Sequence, residues 1–80
     1  MLVSQQVRAA RNALRWTVQD LAENAGVSVS TLKRLEASDG IPSMSAPKLA
    51  LVKSAFEAAG IEFIGSPEDR PGIRIGQPKS

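Results

Sequence analysis

Apolar residues fall at helical spacing through most of the chain and then switch to alternation, so the pattern predicts helices followed by strands. Val7, Ala10 and Leu14 mark the inward stripe of a first helix that begins after Ser4 and ends at Leu14, and Trp16 covers the junction that follows. Val18, Leu21, Ala22 and Ala25 mark a second helix. Thr17 starts it, because its hydroxyl caps free backbone N–H groups and Asp20 puts a carboxylate in the positive first turn. Gly26 stops it by supplying the positive φ that ends a helix. Val27 drops into the angle between helices, Ser28 caps a third helix, and Leu32 and Leu35 form its inward face. Residues 38–45, SDGIPSMS, read as a loop in which Gly40 and Pro42 break the helix and Met44 plugs the core. A fourth helix over 46–59 carries Pro47 in its first turn, a stripe of Leu49, Val52, Phe56 and Ala59, and Gly60 as its stop signal.

The alternating runs IEFI at 61–64 and GIRI at 72–75 predict a β-hairpin closed by the long loop GSPEDRP. Ile61 and Phe63 share one face with Ile73 and Ile75, which leaves Glu62 and Arg74 to pair across the other. Two strands alone are marginal in water, so the hairpin either packs on the fourth helix or adds its edge to another copy of the chain. The second use makes 61–76 a dimerisation element, carried by Ile61, Phe63, Ile64, Ile73 and Ile75; the alternative is a hairpin that covers the chain's own core. Residues 77–80 read as a disordered tail.

The fold class expected is therefore mainly α: four helices over 1–60, with a helix-turn-helix unit at 17–37, followed by a short C-terminal β-hairpin. Eighty residues build one compact core and not two, and a domain this small gains from pairing. The absence of cysteine and histidine removes disulfides and the usual zinc ligands, and no carboxylate cluster offers a metal site, so no cofactor or metal is expected. The serines lack any histidine partner and no acid/base pair stands out, so an enzyme is the least favoured reading. No apolar run is long enough to span a bilayer, and the start MLVSQQ lacks the regions of a signal peptide, so the expected setting is cytoplasmic with no membrane partner. The net charge is only +2, which makes the placement of the cations more informative than their number. Arg8, Arg11 and Arg15 follow helical spacing on the first helix, and Lys33 and Arg34 stand on the third. For Arg8 and Arg15 phosphate contact and an ordinary solvated face remain open.

The segment TVQDLAENAGVSVSTLKRLE, residues 17–36, gives those cations a context. Two short helices joined by a tight turn suit the major groove of B-DNA, where side chains near the N-terminal end of the second helix meet base edges. Val29, Ser30, Lys33 and Arg34 face away from Leu32 and Leu35 and form the base-reading set. Val29 offers a surface for a thymine methyl group, Ser30 bonds to a base or phosphate, Arg34 reaches guanine with two parallel donors, and Lys33 serves chiefly as a phosphate anchor. The alternative is that Lys33 and Arg34 only form the solvated face of a surface helix. In the loop, Ser43 or Ser45 is a further candidate for the DNA backbone.

VRAAR in the first helix, LAENAGVS through the turn and TLKRLEASDG beyond it make the stretch 7–51 resemble the Cro/cI phage-repressor, or XRE, type of helix-turn-helix domain. The resemblance implies a recognition helix third of four or five and a dimer on palindromic operators. It implies base reading by Val29, Ser30 and Arg34, with backbone contacts from Ser28 and the start of the preceding helix, Thr17 included. It also implies an ion pair between Arg11 and Glu36 that belongs to the scaffold. Two positions depart from the family pattern. Val18 stands where a glutamine often follows the capping residue, and Gln19, one position on, is the candidate to replace it on the DNA backbone, although it points about 100° further round the helix. Arg15 stands where glycine is preferred after the first helix, at a cost of about 1 kcal/mol if the backbone is left-handed, which a phosphate contact would offset.

The function expected is a sequence-specific, duplex-DNA-binding transcriptional regulator, a repressor that binds an inverted repeat as a homodimer. Two other readings use the same domain. One is an antitoxin that represses its own operon while the hairpin holds a toxin; the other is a helix-turn-helix used as a protein adaptor.

Overall fold

The computed structural model describes residues 2–37 and 44–76. The expected breaks at Gly40 and Pro42, the candidate Ser43 and the tail at 77–80 lie outside the described residues. Four helices, α1 (Ser4–Ala13), α2 (Val18–Ala25), α3 (Val29–Ala37) and α4 (Ala46–Ala58), precede two strands, β1 (Ile61–Ser66) and β2 (Asp69–Ile75).

Capping residues set the helix limits. Asp20 N–H donates to Thr17 Oγ1 at 3.0 Å and Thr17 N–H donates to Asp20 Oδ2 at 2.9 Å, a reciprocal pair that satisfies two groups the helix cannot. Gly26 ends α2 at φ 71°, and a side chain there would meet nothing within 4 Å, so the glycine is wanted for its backbone alone. Val3 precedes α1 without a side-chain acceptor, and Gln6 supplies the missing bond by accepting from Val3 N–H at 2.9 Å. Pro47 sits in the first turn of α4, where its missing N–H costs nothing.

Val7, Ala10, Leu21, Leu32, Leu35, Val52 and Phe56 form the centre of the core, with Met44 packed against it. Phe56 is its largest fully buried side chain. Trp16 stacks on Phe56 with ring centroids 5.6 Å apart, and Phe63 meets the same ring edge-on at 5.9 Å, so one aromatic cluster joins the α1–α2 junction, α4 and β1.

The strands pair antiparallel with Ile61 opposite Ile75, Glu62 opposite Arg74 and Phe63 opposite Ile73. Arg74 Nη1 lies 3.4 Å from Glu62 Oε2 on the outward face. The long loop expected at 65–71 is instead a two-residue turn, Pro67 and Glu68, with a register shift between Ile64 and Ser66. Gly65 at φ 79° and Arg70 at φ 49° bend the chain there, which lets both strands run on through a segment whose composition reads as loop.

The dimerisation role expected of the Ile61 face needs correcting. Ile61 is 2 % exposed within the chain's own core, and Phe63 and Ile73 pack against that core. The helices leave an apolar gap that Ile61, Phe63 and Ile73 fill, so these three side chains are spent inside the molecule. Ile64 is half-buried, and Ile75 stays out at 67 % exposure.

Gln6 completes the attachment of the hairpin. Its Nε2 donates to the carbonyl oxygens of Ile64 at 3.0 Å and Gly72 at 2.9 Å, so one buried amide caps α1 and holds both strands.

Candidate nucleic-acid interface

The outward face of α3 is built on a well-supported helix. Ser28 Oγ accepts from Thr31 N–H at 3.3 Å and its hydroxyl reaches Thr31 Oγ1 at 2.7 Å, which fixes the first turn. Val27 is buried in the angle between α2 and α3, and Leu32 and Leu35 fasten the opposite side. Ser30, Lys33 and Arg34 are exposed together on the outer face. Val29 differs from expectation. It is half-buried and packs against the core, because its position one turn before Leu32 leans it toward the helix pair.

The far end of α3 is clamped from α1. Arg11 Nε and Nη2 each lie 2.9 Å from a different oxygen of Glu36, and Nη1 donates to Trp16 carbonyl at 2.9 Å. The side chains are 20 % and 10 % exposed, so a two-pronged, charge-assisted contact works here with little competition from water. The pair also neutralises the carboxylate of the same helix that presents Lys33 and Arg34. Arg8, open between a phosphate contact and a solvated face in the sequence, reaches the carbonyl of Glu36 through Nη1. A cation at a helix C-terminus satisfies an unpaired carbonyl and complements the helix dipole. No sequence periodicity distinguishes that role from an ordinary surface arginine.

Beside α3, Thr17, Gln19 and Ser28 are exposed, as is Arg15. Arg15 sits at φ 58°, in the left-handed region that its family position implies. Thr17 has already given its N–H and one hydroxyl lone pair to Asp20, and its hydroxyl proton is still able to donate to a phosphate oxygen. Among the described residues no group of acidic, histidine or cysteine side chains could hold a metal ion, and no helix is long and apolar enough to cross a membrane.

The family model described as helix-turn-helix matches residues 7–46, half of the chain, and the match runs from α1 into the start of α4. The chain belongs to the Cro/cI-type, or XRE, helix-turn-helix family. Membership makes it a DNA-binding regulator of the XRE type. No curated protein matches the chain. The hairpin that follows the matched segment lies outside what the family model describes.

Proposed function

We propose that this XRE-type protein is a repressor that acts in the cytoplasm and binds an inverted-repeat operator as a homodimer. The observation that carries the reading is the polar outer face of α3, with Ser30, Lys33 and Arg34 exposed on a helix whose one acidic side chain, Glu36, is neutralised by Arg11. Ser30 and Arg34 read base edges, Val29 adds the exposed part of its methyl surface, and Lys33 anchors phosphate. Arg15, Thr17, Gln19 and Ser28 contact the DNA backbone on the flank, where Arg15 repays its strained conformation. Two recognition helices about 34 Å apart enter successive major grooves, and a dimer seated over a promoter excludes polymerase.

The test is fluorescence-anisotropy binding to DNA from upstream of the gene, against scrambled DNA, across a salt series. Preferential binding that falls steeply with salt supports the reading. Arg34→Ala is expected to reduce discrimination at one base position by roughly 1 to 3 kcal/mol, whereas Lys33→Ala weakens all sequences alike. Equal losses on specific and scrambled DNA for both variants remove Arg34 from the base readers.

A further inference from the structure

A second face of the molecule carries a knob and a hollow of matching chemistry. Ala46, Ala50, Lys53 and Glu57 follow one another along α4 at intervals of four, three and four residues, the spacing that keeps side chains on one helix face. Ala46, Ala50 and Lys53 join Leu2 and Leu49 around an apolar hollow of about 240 Å³. Glu57 borders a second hollow at the other end of the stripe, together with Gly60, Arg74 and Ile75. Ile75 stands there as the more exposed of the two large apolar side chains that face solvent among the described residues, at 67 % against 48 % for Leu51. Neither Lys53 nor Glu57 forms an ion pair among the described residues. The other side of α4 packs on α2 and β1.

We propose that this face is the homodimer interface. Two copies meet across a two-fold axis with their α4 helices antiparallel. Ile75 of each enters the hollow around Ala46 and Ala50 of the other, and Lys53 of each faces Glu57 of the other. Such an interface must be self-complementary, and this stripe offers that in charge, through Lys53 and Glu57, and in polarity, through an exposed Ile75 and an apolar hollow. The register is consistent. Facing Lys53 with Glu57 in an antiparallel pair sets Ala50 opposite Gly60, and Gly60 lines the same hollow as Ile75. The salt contact and the apolar contact are therefore made in one arrangement. Ala46, Ala50 and Gly60 are small enough to let the two backbones approach.

The inference rests on the homodimer part of the proposed function, and its test needs no DNA. Sedimentation equilibrium of the full chain over a concentration series should show a monomer–dimer equilibrium. Ile75→Asp should raise the dissociation constant by about tenfold or more, since it puts a charge in an apolar hollow. Lys53→Glu and Glu57→Lys should each raise it by about fivefold, as each change occurs twice in the dimer. Their combination should return it close to the parent value. Leu51→Ser, on a different side of α4, should leave it unchanged, and thermal melts should show all five variants folded. A dimer that survives Ile75→Asp, or that is lost on Leu51→Ser, or charge reversals that do not rescue one another, would overturn this interface while leaving a homodimer in place. A parent chain that stays monomeric overturns the homodimer as well, and base reading by α3 is still measured separately.

Discussion

The helix-turn-helix and the hairpin are both fastened to α1, but by different chemistry. Arg11 holds the first region with a guanidinium that bridges Glu36 at the end of α3 and the carbonyl of Trp16. Gln6 holds the second with a neutral amide whose partners, the carbonyls of Ile64 and Gly72, are 58 and 66 residues away. A charged clamp is strong per bond and removes an unwanted negative charge from the recognition helix. The amide satisfies main-chain groups that the fold has already taken from water, and its value lies in the cost of leaving them unpaired. The fold thus places its charge chemistry under the face that the proposed function assigns to DNA and uses uncharged chemistry where it attaches an extra element.

Removing the charged clamp should have the largest effect. Arg11→Ala leaves Glu36 partly buried and unpaired, and is expected to cost about 3 kcal/mol, read as a lower melting temperature. Affinity for DNA should fall with it, because α3 regains a negative charge; an unchanged melting temperature with weaker binding would instead move Arg11 into the DNA contact set. Gln6→Leu should cost about 2 kcal/mol by orphaning Val3 N–H and two strand carbonyls. Hydrogen exchange should then quicken in the hairpin before α3, and uniform quickening would show that the two regions do not come apart along this line. The smallest effect has the opposite sign. Arg15 and Arg70 both hold positive φ, one in each region, so Arg15→Gly and Arg70→Gly should each stabilise by up to about 1 kcal/mol. Under the proposed function only Arg15→Gly also weakens DNA binding, and equal affinities for the two variants would take Arg15 out of the interface.

What could be read from the chain beforehand follows the reach of each interaction. Thr17, Asp20, Gly26 and Ser28 act within four residues of themselves, and the structure uses each as expected. The strand register was legible too, since alternation places Ile61, Phe63 and Ile73 together and Glu62 beside Arg74. The turn was not, because proline, glycine and aspartate read as loop even where Gly65 and Arg70 bend paired strands. The burial of Ile61 and Phe63 was only one of two readings, because it depends on the gap left by four helices. Gln6 gave no signal at all, and the charge of Arg8 did not reveal its partner. Each bonds to main-chain carbonyls far along the chain, and carbonyls carry no sequence.

Val29 has a longer consequence. Ser30, Lys33 and Arg34 lie outside the core, so under the proposed function descendants of this gene are free to exchange them and acquire new operators without refolding. Val29 packs against the interior, and under the proposed function a change there alters specificity and packing together. Divergence of operator preference in this lineage should therefore run through the three exposed positions, with Val29 confined to small or β-branched residues as the hinge between what the protein reads and how it holds together.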